Sequence, residues 1–283
     1  THKGEMVCDL SVEQITTEVL AKRESKEREK SIEKSQIPEL DHQEIKALCL
    51  ETVASLNQAS KRHVYRYYDN AVRGDTVIYP GEADAVVVTP VYGCETALAV
   101  SMDSNLYGQS DPYLSGAGAV AESIRNVIAV GAKPLALTDC LNYGNPEDPE
   151  VFWDFKEGVR GIGEAAKALS FIDGDPVPIV SGNVSFYNES KSGNAVVPSP
   201  VILALGRLSS YKKALSMQFV EPNSQLVFVG YSEAYLAETE FARQMKSRGV
   251  SIDGAAPQVD LEKEAKQNRF VHHCIEEGWV LSC

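Results

Sequence analysis

"DPYLSGAGAVAESIRNVIAVGAKPLALTDCLN", Asp111 to Asn142, decides how the fold is read. Val120, Ile124, Val127 and Ile128 recur at i, i+4, i+7 and i+8, which lays one apolar stripe along a helix and leaves Glu122 and Asn126 together on another face. Gly131 supplies the helix stop, and Lys133-Pro134 leads into "LALTD", an apolar run read as a buried strand. Downstream, "NPEDPE" signals a second helix with Pro149 in its first turn and Phe152, Phe155, Val159, Ile162, Ala166 and Leu169 as its core-facing stripe. "FIDGDP" then turns the chain into "VPIVSGNVS", and "SPVILALGRL" follows. Upstream, "TVIYPGEADAVVVTP" and "ETALAVSMD" are short β runs separated by Pro and Gly. Alternating strands and helices of this kind make an α/β sandwich.

The chain has 283 residues, 43% hydrophobic and 24% charged, enough for one large or two modest cores. Its formal net charge of -13 argues against a sequence-independent nucleic-acid binder, which needs a basic surface to displace counterions. A small anionic ligand remains compatible, because backbone N–H groups and a metal bind phosphate on an acidic protein. The six cysteines are scattered without a C-x-x-C pair, so neither a zinc ribbon nor a disulfide framework is indicated. Free thiols, with no signal peptide or long apolar span, predict a cytoplasmic protein without membrane attachment. A start at Thr1 without methionine, and a terminal "WVLSC" that reads as a strand cut short, lead us to expect a fragment.

Before Val64 the pattern is weaker. "EMVCDLSVEQITTEVL" suits a strand and a short helix, and "AKRESKEREKSIEKSQ" alternates charges as a solvated helix or linker does. After Pro38, "DHQEIKALCLETVASL" places Ile45, Leu48, Val53 and Leu56 at helical spacing. A second α/β unit is expected from "SQLVFVGYSE", with helices near "AETEFARQMKSRG" and "DLEKEAKQNRFVHHCIEEG". The expected domains are therefore 1–62 as connection and helix, 63–208 as the first α/β domain, and 209–283 as a partial second one.

Asp139 stands where an apolar strand runs into polar sequence, with Asn142 and Asn145 after it. Ligands of open α/β sheets collect at such strand ends, although one residue of this kind also serves as a helix cap. "SGNVS", 181–185, is open to two readings: a hairpin turn, or a backbone that approaches a phosphate. In the second, Gly182 permits the approach, Asn183 offers a carbonyl oxygen to a hard cation, and Ser185 donates a hydrogen bond. Neither G-x-x-x-x-G-K-[ST] nor a strand-to-helix G-x-G-x-x-G occurs. His272 and His273, adjacent on one predicted helix, point to different faces and make a poor metal pair.

Asp111–Leu169, followed by "PIVSGNVSFYNES" and "PSPVI", resembles the phosphoribosylformylglycinamidine synthase family, and the likeness runs from "YRYYDNAVRGDTVIYPGEAD" to "VDLEKEAKQNRF". It is similar to the second of that family's two internally repeated halves. The resemblance implies a PurM-like N-terminal domain, whose mixed sheet pairs into a barrel-like dimer interface, followed by a partial PurM C-terminal-like domain. It also implies an ATP-dependent ligase that converts a formylglycinamide ribonucleotide, with ammonia from glutamine, into its amidine. Asp139 and Gly182 then match ATP-contacting positions, Asn183 a magnesium ligand and Ser185 a substrate contact. Asp84, Glu122 and Asn126 match magnesium-binding positions of a second nucleotide site in long relatives. The implied partners are a glutaminase subunit, a small bridging subunit and the first half of the same protein, which carries the catalytic histidine. No catalytic residue falls on this chain, which alone is expected to be inactive and to form a homodimer. The alternatives are an aminoimidazole ribonucleotide synthetase-like enzyme and a non-catalytic scaffold half.

Overall fold

A computed structural model describes residues 3–16, 22–30, 33–172, 174–231 and 233–283. Three helices come first, α1 (Val12–Thr16), α2 (His42–Ala54) and α3 (Arg62–Tyr65). They are followed by β1 (Thr76–Ile78), β2 (Val86–Val88), β3 (Ala97–Ser104), α4 (Pro112–Ala129), β4 (Lys133–Asn142), α5 (Pro149–Ala168), β5 (Ile179–Ser185) and β6 (Ser199–Leu208). Two short 3-10 turns (Tyr107–Gln109 and Tyr211–Lys213) and two more helices, α6 (Glu240–Ser247) and α7 (Leu261–Glu276), complete the described elements.

The strands form one open mixed sheet in the order β1-β2-β3-β6-β4-β5. Every neighbouring pair is antiparallel except β4–β5, which is parallel and lies at one edge. A parallel pair requires a crossover, and α5 provides it. Among the described residues the sheet is thus not closed into a barrel.

One face of the sheet carries the core. Ala97, Ala99, Ile202, Ala204 and Leu137 pack there against Val120, Ile124, Val127 and Ile128, the stripe expected for α4. Asp111 caps α4 by accepting from the Leu114 amide at 3.2 Å, and Gly131 ends it at φ +90°. Helices α4 and α5 meet backbone to backbone. A Cβ on Gly161 would lie 2.2 Å from the Tyr113 carbonyl oxygen, and one on Gly116 would lie 2.3 Å from that of Gly158. Small residues permit this approach, and the "SGAGA" run supplies them on α4.

Several expectations change. Strand β4 is only half-buried: Leu137 and Leu141 lie in the core on the one covered face, while Leu135, at the register irregularity between Pro134 and Ala136, is exposed. In the α5 stripe Val159 is exposed, while Gly158, Gly161 and Ala165 take the close contact with α4. "SGNVS" is neither hairpin nor turn but the body of β5. No strand forms at 225–229 or 279–283, and Leu226, Val227 and Phe228 are exposed. A β run needs a partner for its N–H and C=O groups, and none of the described strands lies beside these. Residues 5–10 likewise form no strand, and the expected helix there is described only over Val12–Thr16, its continuation at 17–21 lying outside the described residues. A second, small cluster joins Leu48 of α2 to Met245 of α6 and Ile252, so the upstream helix shares a core with the C-terminal unit.

Candidate nucleotide site at the edge of the sheet

The parallel register of β4 and β5 sets Asp139 beside Gly182, Cys140 beside Asn183 and Asn142 beside Ser185. Successive strand residues point to opposite faces, so the four predicted site residues divide into two pairs. Asp139 also neighbours the buried Ile202 across β6, which puts Asp139 and Gly182 on the helix-covered face. Asn183 and Ser185 lie on the open face. The absence of a side chain at position 182 is used directly: a Cβ there would sit 2.3 Å from Asp139 Oδ1. Partial burial raises the Asp139 carboxyl above its ordinary value. It caps no helix; that task falls to Asp148, which accepts from the Glu150 amide at 2.9 Å.

On the open face, side-chain amides brace the backbone around the site. Asn188 Nδ2 donates to the Ser185 carbonyl at 2.7 Å, and Asn142 Nδ2 donates to the Ser199 carbonyl at 3.2 Å. Asn183 Nδ2 donates to Ser185 Oγ at 3.4 Å on this exposed edge strand.

Beyond the strand ends lies a cleft of about 410 Å3, lined by Gly144, Asp148, Asp154, Asn194 and Val196 together with Arg28 from the upstream segment. Asp154 is pushed up to about 6 by burial, with the Arg28 guanidinium acting in the opposite direction. Tyr143, fully buried behind the cleft, packs edge-on to Phe155 with ring centroids 5.4 Å apart.

Asp84, Glu122 and Asn126 are brought into one region, and Asp103 joins them. Asn126 Nδ2 donates to both Asp103 oxygens at 3.1 Å, and Ser101 Oγ donates to Asp103 Oδ2 at 2.6 Å. Burial raises the carboxyls of Asp84, Asp103 and Glu122. His272 packs on Phe171 and His273 on Trp279, so the histidine pair serves packing.

Among the described residues no group of three or more His, Cys, Asp or Glu side chains is arranged to hold a metal ion. Magnesium favours oxygen ligands that include a carboxylate. Asn183 and Ser185 offer neutral oxygens, while Asp139 is on the other face of the sheet. These residues by themselves do not fit a magnesium site.

The family model for the N-terminal domain of AIR synthase related proteins matches residues 82–208, which include the whole of this edge. The chain is 44% identical over 248 residues to phosphoribosylformylglycinamidine synthase subunit PurL of Methanothrix thermoacetophila, covering 86% of this chain and 32% of that protein. It belongs to the PurL family. The PurL subunit of Methanothermobacter thermautotrophicus is 38% identical over 275 residues, covering 97% of this chain and 36% of its own length. The chain therefore spans about a third of the length of these relatives. Among solved structures, T. maritima PurL complexed with ATP superposes with a TM-score of 0.53 at 24% identity, covering 76% of this chain and 32% of that one. T. maritima PurL complexed with FGAR gives 0.51 at 25%, covering 78% and 30%.

Asp139 and "SGNVS", which the fold brings side by side on β4 and β5, stand out in the sequence of this PurL-family chain, whereas Arg28, Asp111, Asp154 and Asp103 do not. For Arg28 a signal existed: Lys26, Arg28 and Lys30 alternate with Glu27 and Glu29. For Asp154 none did, because a single acid on an amphipathic helix reads as surface.

Proposed function

We propose that this chain supplies one wall of the active site of a phosphoribosylformylglycinamidine synthase. The reaction uses ATP to convert formylglycinamide ribonucleotide and ammonia into formylglycinamidine ribonucleotide. ATP phosphorylates the amide oxygen, ammonia attacks the carbon so activated, and phosphate leaves. Asp139 and Gly182 take the ATP side of the wall, and Ser185 takes the ribonucleotide. Asn183 contributes one neutral oxygen towards magnesium, and the carboxylates such an ion requires come from outside this face. A glutaminase subunit and a small bridging subunit deliver the ammonia, the work is done in the cytoplasm, and the catalytic group lies outside this chain.

The observation that carries this reading is the β4–β5 register, which places all four residues within four steps of one parallel pair in a chain 44% identical to a PurL subunit. An edge strand suits a nucleotide, since the outer side of β5 offers backbone N–H groups that none of the described strands takes up. In the complete synthase, Asp139→Asn is expected to lower ATP-dependent turnover while leaving the melting temperature nearly unchanged. A large fall in melting temperature with unaltered kinetics would overturn the assignment. Ser185→Ala is expected to weaken ribonucleotide binding by about 1–3 kcal/mol, the cost of a buried hydrogen bond left unmade, with ATP binding unaffected.

A further inference from the structure

The segment Lys22–Lys30 read as a solvated charge run, yet it lies against the body of the protein at a chosen place. Lys26 Nζ reaches Glu150 Oε1 at 2.6 Å, and the Lys26 amide donates to the Pro149 carbonyl at 2.9 Å. Arg28 makes the central contact: Nε donates to Asp154 Oδ1 at 2.8 Å, Nη1 to the Gln109 carbonyl at 3.0 Å and Nη2 to the Gly108 carbonyl at 3.2 Å. Lys30 Nζ meets Asp111 Oδ2 at 2.9 Å. Three cations at i, i+2 and i+4 fall on one side of an extended chain, and Glu27 and Glu29 between them are exposed. A helix would have spread the same residues around its circumference.

The acids that receive these cations have other duties or little solvent of their own. Asp111 is the cap of α4, and the Asp154 side chain is only 9% exposed. Asp148, Glu150 and Asp154 crowd the first turns of α5, so this corner repels itself unless a cation lies across it. Arg28 is also part of the cleft wall beyond β4 and β5.

We propose that Lys26–Lys30 is an electrostatic latch, an extended strap whose three cations dock on the acidic N-terminal ends of α4 and α5 and close one side of the strand-end cleft. It opens when these ion pairs are released, and closure does not depend on which ligand the cleft accepts. Because the contacts are charge pairs at or near the surface, the closed form is weakened by salt.

The strap carries its own reporters, since trypsin cuts after Lys26 and Arg28 only when the strap has lifted. Lys191, on the exposed turn after β5, serves as an internal reference. When opening is fast, cleavage tracks the open population. In the full chain at about 0.02 M salt, cleavage after Lys26 is expected to be at least tenfold slower than after Lys191. Relative to Lys191, cleavage after Lys26 should rise about fivefold or more near 0.5 M, where the Debye length has fallen from roughly 20 Å to roughly 4 Å. Asp154→Asn should raise strap cleavage about fivefold or more at low salt without altering Lys191 cleavage. If Asp154→Asn also accelerates cleavage at Lys191, Arg28→Gln, which alters only the strap, decides by the rate after Lys26. A strap-to-Lys191 ratio that salt leaves unchanged in the unaltered chain, or strap cleavage unchanged in Arg28→Gln, would overturn the latch.

Discussion

The two faces of the sheet are made from the same strands and lead different lives. On the helix-covered face, Ala97, Ala99, Ala204 and Ile202 are almost completely buried beneath α4. On the open face, Met102 is 64% exposed, and at the uncovered edge strand Val180 is 69% exposed. A strand cannot be apolar on one side alone when both sides are to be covered, and the apolar residues left on the open face are surface that a partner would bury. The contrast also divides the proposed site: Asp139 belongs to the covered face, Asn183 and Ser185 to the open one.

The sharpest test of this contrast is a pair of substitutions beneath the covered face, one that removes volume and one that adds it. Ile124→Ala, at a fully buried position of α4, should destabilise the chain by about 2–5 kcal/mol, the usual cost of a core cavity. Urea denaturation measures it, and a loss below about 1 kcal/mol would show that α4 does not organise the core. Gly161→Ala should follow at about 1–3 kcal/mol, since its new methyl would meet the Tyr113 carbonyl oxygen and force α4 and α5 apart.

A pH series sharpens the comparison at the helix ends. Burial lifts the Asp154 carboxyl from an ordinary 3.8 to about 6, so between these values the folded chain binds the proton that the unfolded chain releases. This group therefore favours the folded state most at low pH, and its contribution falls as pH rises through the window and is level above it. Asp154→Asn should remove that slope, read as the melting temperature from pH 4 to pH 7 relative to the parent chain. A slope that survives the substitution would assign it to other carboxyls.

The smallest effect on folding belongs to the open face. Met102→Glu should change stability by less than about 0.5 kcal/mol, as expected of an exposed site. We expect the same substitution to abolish self-association in sedimentation, because it places a charge in the middle of the uncovered apolar surface. A parent chain that sediments strictly as a monomer would break the link between that face and pairing.

What could be read without coordinates followed from short-range regularities. The 3.6-residue stripe of α4, its Gly131 stop, the Pro149 start of α5 and the apolar run of β6 are local properties of the chain. Asp139 and "SGNVS" stood out for the same reason, as polar residues that follow or interrupt apolar runs. The expectation of a strand at 225–229 rested on equally good local pattern and failed. Pattern records the ability to form a strand, while a strand exists only where a neighbour accepts its hydrogen bonds.

Sequence by itself thus determined the order of the principal helices and strands and the acidic balance, and it marked Asp139 and the residues of "SGNVS" as polar positions in apolar runs. Tertiary structure alone decided which face of the sheet each of them occupies, because a one-residue step along a strand reverses the side-chain direction and only pairing fixes the register. It also decided that the charged run near the N terminus lies down as a strap. Its alternation of Lys, Arg and Glu carries no instruction until Glu150, Asp154 and Asp111, far away in the chain, are folded into one acidic corner that only a cation on each can settle.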